Sequence, residues 1–282
     1  MTGPSGLAEL EDLARAFARG DKTPTEPRHA STVILLRDAD DGPEAYLLRR
    51  VKGMAFAGGM HVFPGGSVDP ADEDADVAWT GPSAEQWGQW FAAPPPLARA
   101  LVCAAVRETF EECGVLLAGR TKDHVLEDVS TDEWEAERVA LEAREQSLSQ
   151  LLARKGLVLR ADLLRPFAHW ITPEVEPKRF DTRFFLAEMP KGQVTRHVGG
   201  EADERLWARP EDALVAGLNL MPPTHDSLSK ISGFPDVRRV LDADRTVTLV
   251  APKLVVMPDN TVKFVVPGDV DYPQADNNQP PV

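Results

Sequence analysis

The sequence predicts an α/β fold with a mixed sheet between helices, and three observations carry that reading. Short β-prone runs bounded by Gly, Pro and Asp turns recur along the chain, starting with residues 32–36 and 45–51. One long helix, residues 97–115, shows a buried stripe of ordinary width. Strands and helices then alternate to about residue 266, with no internal repeat and no phosphate-loop pattern.

Taken in order, residues 7–19 read as a short amphipathic helix, and 20–28 form a polar linker with two prolines. Residues 32–36 and 45–51 read as a hairpin, broken between them by Asp40-Asp41-Gly42-Pro43. The second of these strands ends in Arg49, Arg50 and Lys52, just before paired glycines at 58–59 and 65–66. These cations are either a solvated strand end or a phosphate-contacting cluster. Residues 60–66 form a short apolar strand ending in Pro64-Gly65-Gly66, where glycines let backbone approach a ligand.

An insertion-like stretch of roughly 67–96 opens acidic, continues with a helix capped by the Ser83-x-x-Gln86 pattern, and ends in Pro94-Pro95-Pro96. Its three tryptophans, Trp79, Trp87 and Trp90, fill a satellite core or cover a site.

The helix 97–115 holds most of the chemistry. At 100° per residue, with Glu108 at zero, Glu111 falls near about −60° and Glu112 near about +40°. Three carboxylates share one face, with Arg107 flanking them. A solvated acidic face held by an i,i+4 pair is the bland account, worth a few tenths of a kcal/mol. Against it, clustered anions gain nothing unless a cation joins them, and such oxygen donors suit hard divalent ions that share their sites with phosphates.

Downstream, the pattern predicts a long helix from 130 to about 155, external or partner-facing, then strands at 166–172 and 179–187. Lys178, Arg179 and Arg183 are candidate anion contacts there, with a structural role equally open. A strand around Leu206-Trp207, a helix from Pro210, helical pieces at 226–232 and 235–242, and strands at 247–250, 254–257 and 262–266 complete the ordered chain. The tail from 272 reads as disordered.

Gly65-Gly66 followed by Arg107-Glu108-x-x-Glu111-Glu112-x-Gly114-Val115 resembles the Nudix box, GX5EX7REUXEEXGU with U aliphatic. Two departures stand out. Gly66 lies 41 residues before Arg107 where the family has fourteen, so about 27 residues are inserted. The family's isolated glutamate falls on Arg99 by one alignment, or is replaced by Asp72 if the insertion follows it.

The interrupted box, with residues 170–173 and 179–185, resembles the acyl-coenzyme A diphosphatase branch of the Nudix hydrolases and its bacterial relatives. That resemblance implies an α/β/α sandwich with a mixed sheet, an insertion inside the box and a C-terminal β extension. It implies Mg²⁺ or Mn²⁺ held by Glu108, Glu111 and Glu112, with Arg107 orienting a glutamate and Glu201 or Glu204 as general base. Gly65, Gly66, Arg49, Arg50, Lys52, Arg179 and Arg183 are the candidate substrate contacts, read from their places at the glycine turns and strand ends rather than from the resemblance. The implied reaction is hydrolysis of a nucleoside diphosphate linked to X, first coenzyme A or acyl-CoA. The alternatives are ADP-ribose, NADH or a damaged nucleotide, and a non-catalytic ligand sensor of the same fold.

The expected organisation is an N-terminal helix and linker at 1–27, a domain at 28–244, strands at 245–271 packed on it, and a tail at 272–282. Composition bounds the rest. A formal charge of −14 argues against nucleic acid, which needs clustered Lys and Arg. No run of eighteen apolar residues or secretory signal is visible, so no membrane partner and a cytoplasmic location are expected. The C-terminal Gln279-Pro280-Pro281-Val282 is not a peroxisomal address. Cys103 and Cys113 lie on the buried side of the helix as packing residues, and the six histidines lack metal-site spacing. The partner expected is a small diphosphate; a homodimer is compatible.

Overall fold

A computed structural model describes residues 4–54, 56–73, 77–196 and 202–273. The chain divides into two compact units. The larger takes residues 29–169 and 182–248, and the smaller takes 1–28, 170–181 and 249–282.

In chain order the elements are α1 (Pro4–Ala18), β1 (Arg28–Ala39), β2 (Gly42–Arg50), β3 (His61–Val62), β4 (Gly65–Ser67), β5 (Trp79–Thr80), α2 (Ala84–Phe91) and α3 (Pro95–Cys113). They continue with β6 (Ala118–Gly119), α4 (Asp132–Glu142), α5 (Leu148–Lys155), β7 (Val158–Arg160), β8 (Leu164–Ile171), β9 (Phe180–Glu188) and β10 (Ala202–Ala208). Last come α6 (Pro210–Val215), α7 (Pro222–Ile231), α8 (Val237–Asp242), β11 (Leu249–Val250), β12 (Lys253–Val256) and β13 (Val262–Val265).

The larger unit is built on a sheet ordered β10-β2-β1-β9-β8, with β3 beside β2 and β4 beside β1. Alternation along β1 and β2 sends Val33, Leu35, Tyr46 and Leu48 into one core with Leu101, Val102, Ala105, Val106 and Phe110 of α3. Side chains such as Leu101 and Phe110 are fully buried, each contributing about 1.5–3 kcal/mol. Ile34, Leu36 and Leu47 alternate to the other face and are equally buried. On β2 rests α6, and Asp38 at the end of β1 accepts the Val237 N–H that begins α8.

Helix α3 is the hub. Prolines at its first two positions fix its start, and Gly114 at φ 71° ends it, its N–H bonded to the Phe110 carbonyl. A buried hydrogen bond from Ser31 Oγ to the Leu101 carbonyl, 2.7 Å, pins it to β1.

The insertion is stitched into this body: β5 pairs with β7, which also pairs with β6, and Trp87 lies wholly buried against Phe91 and Phe185. Trp87 therefore belongs to the core.

One expectation is corrected. The long helix of residues 130–155 is two helices, broken where Arg144 takes φ 58° and Ser147 opens a new capping box with Gln150. A left-handed residue cannot continue the hydrogen-bond ladder, and the Ser-x-x-Gln pattern was the signal for the restart.

In the smaller unit α1 packs against β12, which pairs with β13, and Arg15 donates to the Asn260 carbonyl. The tail from residue 274 lies outside the described residues.

Candidate active site

Strand β4 and helix α3 bring the acidic face and the glycine pair together. Gly65 donates its N–H to Glu112 Oε2 at 2.7 Å. A Cβ on Gly66 would collide with the Glu108 carboxylate, and one on Gly65 with the Ser31 carbonyl and Thr32. Both glycines are required by close approach rather than by turn geometry.

Arg107 organises the acids. Its Nη1 donates to Glu108 Oε1 at 2.8 Å and Glu111 Oε2 at 3.1 Å, while Nε and Nη2 grip Asp72 at 3.0 and 2.9 Å. Nη2 also donates to the Ser67 carbonyl at 2.9 Å. Every nitrogen of the guanidinium is used, and its side chain is 11% exposed.

The two candidates for the box's isolated acid lie in different places. Asp72, six residues after Gly66, meets Arg107, whereas Arg99 turns away to the Val77 carbonyl and lies over the Trp79 ring. The contact with Arg107 favours the alignment in which the insertion follows Asp72.

One cation faces three buried acids, and proton affinities rise accordingly. Burial, then repulsion from Glu111 and Asp72, pushes Glu108 up to about 7 against the pull of Arg107. Burial raises Glu111 and Asp72 as well. Burial also works against the Arg107 charge, but its bonds to Asp72 and the surrounding carboxylates prevail.

From behind, the buried Arg138 of α4 donates to the Glu111 carbonyl at 2.9 Å and to Glu135 and Glu142. Helix α4 therefore buttresses the acidic helix, with the Trp134 ring edge-on to Phe110.

The remaining candidates are placed as follows. Arg49 binds Asp203 Oδ1 at 2.7 Å and Glu204 Oε2 at 2.6 Å, and Glu204 stands 3.9 Å from the buried His61. Arg50 is half-buried at the end of β2, and Lys52 is exposed with its charge felt by Asp203. Arg183 is buried in β9 of the larger unit. Arg179 belongs to the smaller unit, where it donates to the Thr172 and Thr25 carbonyls. Glu201 lies outside the described residues.

A hard divalent ion fits this donor set by its chemistry. Glu108, Glu111 and Glu112 offer oxygen donors, and the carboxylates of Glu108, Glu111 and Asp72 outnumber the one cation they share, Arg107. As they stand, no three acid, imidazole or thiol side chains among the described residues gather closely enough to hold an ion. Arg107 lies between Glu108 and Glu111, while Glu112 accepts the Gly65 N–H.

The NUDT19 Nudix domain model matches residues 84–223. The crystal structure of a Nudix hydrolase from Alicyclobacillus acidocaldarius is similar at a TM-score of 0.64 and 28% identity, over 79% of this chain and 98% of that one. With the box residues assembled on one helix and loop, the chain is similar to the Nudix hydrolases in sequence, fold and site, and that similarity supports a Nudix pyrophosphohydrolase.

Within that class it is similar to the acyl-coenzyme A diphosphatase NUDT19 of Gallus gallus, 26% identical over 88% of this chain and 80% of that protein. The Homo sapiens protein of the same name is 27% identical over 69% of this chain and 62% of its own length.

Three residues at this site escaped the sequence reading. Arg138 and His61 look like ordinary polar positions, and Arg196, which lies on Gly114, is 82 residues distant from it in sequence. No local signal marks any of them.

Proposed function

We propose that this chain hydrolyses the diphosphate of coenzyme A or acyl-CoA, with Mg²⁺ or Mn²⁺, giving 3',5'-ADP and (acyl-)4'-phosphopantetheine. The observation that carries the hydrolytic reading is the surplus of buried carboxylate around Arg107 beside the Gly65-Gly66 backbone. The substrate is supported by the similarity to two proteins named acyl-coenzyme A diphosphatase.

Glu108, Glu111 and Glu112 would hold the cation, which when bound supplies charge neutralisation at the diphosphate oxygens and a more acidic water. Arg107 holds Glu108 and Glu111 in place and, through Asp72, ties the helix to the turn after β4. Burial strengthens each of these interactions relative to bulk water.

Water adds to one phosphorus as the bridging P–O bond breaks, and its proton passes to a general base. Glu204, or Glu201 beyond the described residues, fills that role; Arg49 orients Glu204. Arg50, Lys52 and Arg183 remain the proposed substrate contacts outside the acid cluster.

Incubation with coenzyme A, acyl-CoA, ADP-ribose and NADH, with Mg²⁺ or Mn²⁺ and products read by mass, tests this. Coenzyme A derivatives cleaved to the two named products support the proposal. Cleavage of ADP-ribose or NADH in preference overturns it.

A further inference from the structure

Glu111 and Glu112, two of the three glutamates proposed to hold the cation, lie in the last turn of α3, which ends at Cys113. The final carbonyls of a helix have no partner within it, and such ends fray. Ligands placed there are only as well held as the helix end. In this chain that end is bound from outside as well as by its own cap. The Phe110 carbonyl takes the Gly114 N–H, the Cys113 carbonyl takes the Arg196 backbone N–H at 2.9 Å, and the Glu111 carbonyl takes Arg138 Nη1 at 2.9 Å.

Arg138 is 4% exposed and engages every nitrogen of its guanidinium. Besides the Glu111 carbonyl, Nη1 reaches Glu142 Oε2 at 2.8 Å, Nε lies 3.1 Å from both Glu135 oxygens, and Nη2 donates to Glu135 Oε1 at 2.8 Å. Glu135 Oε2 in turn meets Arg196 Nη1 at 2.9 Å, and the Arg196 guanidinium rests on Gly114. One acid on α4 therefore ties together the two segments that bind the Glu111 and Cys113 carbonyls. Helix α4 is itself anchored to α5, Glu133 pairing with Lys155 and Glu137 with Arg154.

Two arginines face two glutamates in this network, so it draws nothing from the Glu111 carboxylate, which stays with Arg107. Gly114 already ends the helix with a left-handed residue. A buried arginine adds little net stability to that, because its desolvation offsets its Coulombic gain. Its direct consequence is geometric: the Glu111 backbone is fixed against α4, while the next side chain, Glu112, is held on the Gly65 N–H.

We propose that Arg138, braced through Glu135 by Arg196, is a positioning residue that holds Glu111 and Glu112 in place for a divalent cation. This deepens the reading in which those glutamates are the cation's ligands, and it rests on that reading.

Two measurements on the full-length protein test it, comparing the unmodified chain with Arg138→Lys and Glu135→Gln. Lysine keeps a donor for the Glu111 carbonyl and loses the fork to Glu135. Glu135 is 40% exposed, so Glu135→Gln folds and carries the test should Arg138→Lys fail to. The first measurement is amide hydrogen exchange in chelator, where residues 111–114 and Arg196 should exchange about tenfold faster in the variants with the rest of α3 unchanged. The second is calorimetric titration with Mn²⁺ at pH 8, where both variants should bind about tenfold more weakly than the unmodified protein.

Unchanged exchange at the helix end in both variants would overturn the proposal. Faster exchange with Mn²⁺ affinity equal to that of the unmodified protein would also overturn it, leaving Arg138 as a cap without a positioning role. No Mn²⁺ binding by the unmodified protein would overturn the ligand reading itself and the proposal with it, an outcome distinct from the other two because it appears before any substitution is made.

Discussion

Arginine meets clustered carboxylates twice in the larger unit, with opposite outcomes. Around Arg107, the side chains of Asp72, Glu108 and Glu111 are 2%, 12% and 13% exposed, and all three carboxyls are raised. Around Arg49, Asp203 and Glu204 are 36% and 46% exposed, and the bond to Arg49 lowers Asp203. The residue types are the same. Water and charge count differ: the first cluster is buried with more anions than cations, whereas the second is solvated and nearly balanced. The first stores a demand for positive charge, and the second holds a strand edge together.

The sharpest way to break this contrast is to remove a single carboxylate. Glu111→Gln or Glu112→Gln should lower diphosphate turnover by about two to four orders of magnitude while the protein stays folded, as expected for lost charge stabilisation. Near-normal turnover in both variants at saturating metal would contradict the assignment.

Gly66→Ala comes next. Its Cβ is driven into the Glu108 carboxylate, an overpacking that should cost about 1–3 kcal/mol and be measurable as a lower melting temperature. A variant as stable as the parent would mean that β4 stands farther from α3.

A smaller effect concerns pH. Glu108 binds its proton up to about 7 in the folded chain against 4.5 for an unperturbed glutamate, so the folded state holds more protons between those values. Stability in chelator should therefore fall as pH rises through that window, and Glu108→Gln should flatten the slope. A slope of the same size in the variant would place the missing charge elsewhere. Smallest of all, Arg49→Ala should leave the midpoint of a denaturant titration close to the parent's, because its pairs are solvent-screened. A larger loss would make the second cluster more than a strand-edge tie.

Much of the acidic site was legible because a helix's period is rigid: Glu108, Glu111, Glu112 and Arg107 are ordered by 100° steps whatever surrounds them. Asp72 was visible only as one of two alignments, since nothing local says where a chain inserted between two motif halves returns. The contact of Asp72 with Arg107 favours one of them. The break after α4 was legible in Ser147 and Gln150 but lay inside a continuous charged pattern, and Arg144 gives no sign of its positive φ. The burial of Arg138 and the resting place of Arg196 depend on tertiary contacts with α3, which no local pattern encodes.

The central claim is that the Arg107 cluster is short of positive charge and takes a divalent cation. Calorimetric titration with Mn²⁺ at pH 8, comparing the unmodified protein with Glu111→Gln, tests it most directly. The account predicts saturable binding and a metal-dependent rise in melting temperature for the unmodified protein, with affinity weakened at least about tenfold in the variant. Equal affinity in the two proteins, or no binding in either, would contradict it.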